Sequence, residues 1–245
     1  MPIPAITQVP SIFRRATFGD GQAGIFRGRR RPEDPEEVED AGWDFVENFE
    51  TLNSGIWGTT TSGTGASASV SGGILTLDSG TDDNGYASIH TIENFGPLNS
   101  TGDFIMEVKL KTNHTGSQKM ESYAGFINPG QKTSGTPADS GADQIAFGYN
   151  LVESGNSIFF QEAKNGGGGA SSTTYYDEKW QIWTLYCKNT GGSTLSSEEA
   201  TVPLSLGTTP EDQALSCLLH VAARANPGAS QTMEVDYVKI RYVNS

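Results

Sequence analysis

The stretch MEVDYVKIRY, residues 233–242, carries Glu234 and Asp236 two positions apart within an alternating apolar pattern. Side chains two apart on a strand share a face, so the pair has the spacing of a carbohydrate-cleaving site. Retaining glycoside hydrolysis needs two carboxylates flanking the scissile bond, about 5 to 5.5 Å apart. The next positions on that face are Val238 or Lys239, so no acidic triplet forms here. Other reactive groups are sparse. His90, His114 and His220 lack the spacing of metal ligands, and no G-x-S-x-G elbow is present. The run Gly166 to Gly169 lacks the Lys-Ser/Thr ending of a phosphate loop, and it reads as a mobile tip. Asp82, Asp83 and Asn84 form a second acidic cluster, a Ca²⁺ candidate in which turn chemistry alone explains the residues.

The elements that must position these groups are strands. The chain has 245 residues, 30 of them glycine, and only 18% are charged. That composition suits short strands and turns rather than amphipathic helices. Alternation runs through ASASVSGGILTLDS (a hairpin about Gly72 and Gly73), YASIHTI, DFIMEVKLKTN, SYAGFIN, QIAFGYNLV, SIFFQEAK, WQIWTLYCK, ALSCLLHVAA and MEVDYVKIRYV. Roughly ten to fourteen such strands predict two packed antiparallel sheets. Residues 189–213 are poor in strand pattern and predict loops or short edge strands. Cys187 and Cys217 each lie in an apolar stretch, which predicts buried thiols rather than a disulfide. The glycosylation patterns at Asn99 and Asn113 are expected by chance in so Ser/Thr-rich a chain.

Residues 1–42 have a different character. Arg14, Arg15, Arg27, Arg29, Arg30 and Arg31 precede an acidic block of Glu33, Asp34, Glu36, Glu37, Glu39 and Asp40. Block charge with prolines describes an extended arm without a core of its own. Its apolar residues suit anchoring on a neighbouring subunit, which makes Ile12, Phe13, Arg14, Arg15, Phe18, Phe26, Arg29, Arg30 and Arg31 the candidate partner-binding set. The net charge of −13 argues against nucleic acid or an anionic membrane as partner for the body of the protein. No run reaches the length of a membrane span, and the N-terminus lacks the apolar core of a signal peptide.

The phrases FETLNSGIW (49–57), VSGGILTLDS (70–79), GDFIMEVKLKT (102–112) and MEVDYVKIRY occur in an order that resembles the concanavalin A-like jelly roll of laminarinases and related endoglucanases. The resemblance covers most of residues 43–245. It implies an all-β, two-sheet antiparallel jelly-roll sandwich following the extended arm of residues 1–42. Cleaving members of that family carry an E-x-D-x-E or E-x-D-x-x-E signature in the middle strands. SYAGFINPG, QIAFGYNLV and SIFFQEAKN contain none. In calcium-binding relatives the Asp of a VDYV-like closing strand is a metal ligand, so the resemblance makes Asp236 a candidate ligand of a structural Ca²⁺. No other cofactor is implied.

These features predict a non-catalytic structural subunit of a large assembly. A virion is the expected location, with the chain as a capsid decoration or tail/fibre protein held by its arm to copies of itself or to other capsid or tail proteins. A carbohydrate-binding module, extracellular or at a cell surface, is the first alternative. Tyr123, Phe126, Tyr149, Phe159, Tyr175, Tyr176 and Trp180 would supply its aromatic platforms, although alternating aromatics in a sandwich mostly fill the core. A diverged glycoside hydrolase using Glu107, Glu121, Asp143, Glu153 or Glu162 is the second.

Overall fold

The computed structural model describes residues 42–113, 119–133, 143–150, 157–164, 167–174, 179–197, 201–202, 210, 212–224 and 230–243. In chain order the strands are β1 (Phe45–Glu47), β2 (Trp57–Ser62), β3 (Ser67–Ser71), β4 (Ile74–Asp78) and β5 (Tyr86–Thr91). The short helix α1 (Leu98–Thr101) follows, then β6 (Asp103–Asn113), β7 (Lys119–Ile127), β8 (Gln144–Asn150), β9 (Ser157–Lys164) and β10 (Gly167–Thr174). The chain closes with β11 (Gln181–Cys187), β12 (Thr194–Ser197), β13 (Thr201–Val202), β14 (Ser216–Arg224) and β15 (Thr232–Val243). They form two antiparallel sheets, as the alternation predicts. One sheet runs β13-β12-β11-β6-β15-β4-β3, with β1 also pairing to β15, and the other runs β10-β9-β8-β7-β14-β5-β2.

Period-two patterning decides which side chains meet between the sheets. Strand β6 alternates along its whole length, burying Phe104, Met106, Val108 and Leu110. The facing sheet supplies Ala124, Phe126, Ile145, Phe147, Leu219 and Val221 to the same core. Ring contacts tie the layers, Phe104 and Phe126 edge-to-face with centroids 4.6 Å apart and Phe147 tilted against Trp183 with centroids 5.4 Å apart. Phe126, one of the predicted aromatics, is therefore core. Both cysteines are buried free thiols, and burial pushes the Cys217 thiol up.

The first strand is fastened by a carboxylate. Buried Glu47 accepts from the Trp57 indole N–H at 2.9 Å and from the Phe49 backbone N–H at 3.0 Å. Burial raises its pKa against the lowering effect of those bonds. The second contact holds Phe49 at φ 48°, a region unfavourable for a bulky residue.

Turn chemistry agrees with the sequence at Gly72 and Gly73, whose φ values of 58° and 77° close the β3–β4 hairpin as tight hairpin turns require. Residues 189–213 contribute the short strands β12 and β13 at the sheet edge. The tetraglycine run differs from expectation. Gly167, Gly168 and Gly169 belong to β10 and pair with Lys164, Ala163 and Glu162, since ladder hydrogen bonds need only the backbone.

Gly148 is required for a different reason. A Cβ built there would collide with the Ser122 carbonyl of the adjacent strand β7. Gly148→Ala is expected to lower stability by about 2 to 3 kcal/mol through forced separation of β7 and β8. The check is a urea titration in which the midpoint falls and the slope stays constant.

Candidate functional site

The middle strands where the family resemblance locates catalysis are β7, β8 and β9, all in the seven-stranded sheet. Core positions on β7 and β8 are Met120, Ala124, Phe126, Ile145 and Phe147. The alternate positions therefore turn to the sheet's outer face: Glu121, Tyr123, Gly125 and Ile127 on β7, and Gln144, Ala146 and Gly148 on β8. On β14, Leu218, His220, Ala222 and Arg224 share that face. Register joins these into rows. Ser88, His220, Tyr123 and Gly148 are successive cross-strand partners, as are His90, Leu218, Gly125 and Ala146. The small residues floor a crevice bordered by Tyr123, Ile127, Gln144 and Leu218. Those four side chains are buried.

At the centre of the face His220 is completely buried. Its Nδ1 shares a 2.6 Å hydrogen bond with Ser88 Oγ, while Nε2 has no hydrogen-bond partner. The rings of Tyr86 and Tyr123 each lie 5.6 Å away. Burial, with the charge of Arg224 adding to it, pushes the imidazole pKa down to about 3. His220 is thus a neutral packing group. His90, set against Gly58, is likewise lowered by burial and then by the Lys132 charge.

The candidate carboxylates whose side chains are described, Glu107, Glu121 and Asp143, do not converge. Glu121 is held by Arg224, Nε to Oε2 at 2.6 Å, with both side chains largely buried. Arg224 also donates to Asn84 Oδ1 at 3.2 Å. Asp143 lies at the other end of the β7–β8 pair, beside the Asn128 side chain. Glu121 opposes Asn150 and Ile127 opposes Gln144, so Glu121 and Asp143 are roughly 20 Å apart along the strands. That is several times the spacing needed by a retaining pair. Glu107 is on the outer face of the other sheet, accepting from the Tyr237 hydroxyl at 3.0 Å. Glu162 stands opposite core residue Ile145 in the ladder, and Glu153 lies outside the described residues.

On the closing strand, Glu234 and Asp236 both face outward, and each has a lysine partner on β6. Lys111 Nζ is 3.0 Å from Glu234 Oε2 and Lys109 Nζ is 2.8 Å from Asp236 Oδ2. The bulge between Val235 and Tyr237 puts Asp236 level with Lys109. Asp236, the carboxylate nominated for Ca²⁺, is thus ion-paired through Oδ2, and no group of three His, Cys, Asp or Glu arranged for a metal occurs among the described residues. Asp82 caps a turn, accepting from Thr64 N and Oγ1 at 2.7 and 3.0 Å. The arm residues Ile12, Phe13, Arg14, Arg15, Phe18, Phe26, Arg29, Arg30 and Arg31 lie outside the described residues, as do His114, Tyr175 and Tyr176. Trp180, just before β11, is exposed.

No family model matches the sequence, and no curated protein matches it. Solved structures do match in fold. A prokaryotic β-1,3-1,4-glucanase (lichenase) from a mouse hindgut metagenome superposes with a TM-score of 0.60 at 14% identity, covering 81% of this chain and 99% of that one. The metal-free carbohydrate recognition domain of Emp46p gives 0.59 at 11% identity, covering 81% and 95%. A pseudo β-1,3-glucanase of Mycobacterium tuberculosis gives 0.57 at 14%, covering 83% and 100%. The chain has the concanavalin A-like sandwich fold shared by these glucanases and carbohydrate recognition domains.

Two measurements test the electrostatics of the outer face. Arg224→Ala strands a buried carboxylate and is expected to destabilise by about 3 to 5 kcal/mol, read from denaturant midpoints. The depressed pKa of His220 stabilises the fold fully above its ordinary value of 6.5, and that contribution is lost as pH falls toward 3. Asp44 and Glu47, raised by burial, act in the opposite direction in both proteins. His220→Gln should consequently lose less stability than the wild type between pH 7 and pH 4.

Proposed function

We propose that this protein is a non-catalytic carbohydrate-recognition sandwich serving as a subunit of a larger assembly, attached through residues 1–42. The observation that carries the reading is the state of the outer face of β7, β8 and β14. The fold is shared with glucanases, yet the carboxylate on that face, Glu121, is neutralised by Arg224 at 2.6 Å. The alternating β8 positions are Gln144, Ala146 and Gly148. An acid held in an ion pair cannot donate the proton that glycosidic cleavage needs, and no second carboxylate stands opposite it among the described residues.

The attachment role rests on the composition of residues 1–42, whose basic cluster, acidic block and scattered Phe and Ile side chains suit pairing and anchoring on neighbouring subunits. A virion, with the sandwich displayed as a decoration or tail component, is the assembly that fits this plan. The reading needs no cofactor.

Three outcomes are expected of the full chain. Incubation with neutral β-glucans releases no reducing sugar above buffer. Light scattering gives a mass above that of one chain. Charge reversal at Arg29, Arg30 and Arg31, combined with Phe13→Ser and Phe18→Ser, returns the mass to the monomer at unchanged melting temperature. Turnover that disappears in Glu121→Gln would overturn the non-catalytic assignment, and a wild type already monomeric would overturn the attachment role.

A further inference from the structure

The eight-stranded sheet also has an outer face, and its organisation is unlike that of the buried crevice. Trp180 is 39% exposed. Gln181 pairs with Leu110, so Trp180 stands one step beyond the β11–β6 ladder, level with Lys111. Lys111 in turn opposes Glu234 on β15. The ammonium groups of Lys111 and Lys109 lie 5.2 and 5.9 Å from the Trp180 ring centroid, and each is paired to its own carboxylate, Glu234 or Asp236. Asn113 adds an amide, Nδ2 to Glu234 Oε1 at 3.2 Å. The surface beside the indole thus consists of fixed donors alternating with fixed acceptors.

We propose that Trp180, with the Lys111–Glu234 and Lys109–Asp236 pairs, forms a binding platform for a neutral glycan, on the sheet opposite the crevice where the fold's catalytic strands lie. A pyranose ring has an apolar C–H face and a rim of hydroxyls that both donate and accept. The exposed indole matches the face. The salt-bridged pairs match the rim, because each presents N–H donors beside carboxylate lone pairs and is already oriented by its partner, which reduces the ordering cost of binding. Charge selects the ligand class. Both lysines are neutralised locally and the chain carries −13 overall, so a sulfated or uronate-rich glycan meets no positive field. A cation–π contact that only fastened β11 to β6 would not require the ring to stay open to solvent.

This inference rests on the carbohydrate-recognition reading, and the experiment separates the two. The full chain is titrated with soluble neutral glucan, mannan and xylan oligosaccharides, and with heparin as an anionic control, by calorimetry and tryptophan fluorescence. Trp180→Ala, Trp180→Phe and Asp236→Asn are titrated alongside, after confirming an unchanged melting temperature. The expected result is saturable binding of a neutral oligosaccharide that weakens roughly tenfold or more in Trp180→Ala, weakens less in Trp180→Phe, and is accompanied by a shift in tryptophan emission. Wild-type affinity in Trp180→Ala would refute the platform and leave the carbohydrate reading intact. Binding of no neutral glycan by the wild type would refute both. Preference for heparin would refute the neutral class.

Discussion

The structure depends on the ladder between β6 and β15. These two strands pair along nearly their whole length, from Thr232 opposite Asn113 to Val243 opposite Asp103, and they stand at the middle of the eight-stranded sheet. Every other strand of that sheet is added to one or the other side of this pair. Its single irregularity, between Val235 and Tyr237, adds one residue to β15. Without it, a one-residue slip would exchange core and solvent faces for the rest of the strand. With it, Val235 and Val238 both remain buried, and the extra position is spent on the outer face, where Asp236 meets Lys109.

The two outer faces show two ways of treating polar groups. On the seven-stranded sheet they are withdrawn from water, and the central ones are matched within the protein, Glu121 with Arg224 and His220 Nδ1 with Ser88 between two tyrosine rings, while His220 Nε2 is buried without a hydrogen bond. Burying charge is tolerable only where a partner is close and additional hydrogen bonds satisfy it, and the cost of mispairing makes that face specific in structure. On the eight-stranded sheet the pairs are partly open to solvent, where they contribute little to stability.

Much of this was legible in the sequence. Alternation along DFIMEVKLKTN, WQIWTLYCK and MEVDYVKIRYV is a local property, and β6, β11 and β15 follow it closely. Gly72 and Gly73 marked their hairpin because a tight turn demands their φ values. The spacing of an acidic triplet is likewise a local property, since its residues would alternate along one strand. Cross-strand partners were not legible. Nothing local connects Ser88 to His220 or Glu121 to Arg224, which are brought together only when β14 inserts between β5 and β7. The bulge at Asp236 was hidden for the same reason, as was the strand made by the tetraglycine run, whose side-chain pattern carries no signal. Trp180 was readable as an aromatic, but its exposure depends on β11 starting one residue later.

The fastening of β1 to the closing strand has a geometric corollary. Asp44 N donates to Ile240 O at 3.0 Å, and Tyr242 N donates to the Asp44 carboxylate at 2.7 Å, so the described sandwich begins and finishes at one corner. A polypeptide leaving Gly42 and one leaving Val243 start as neighbours.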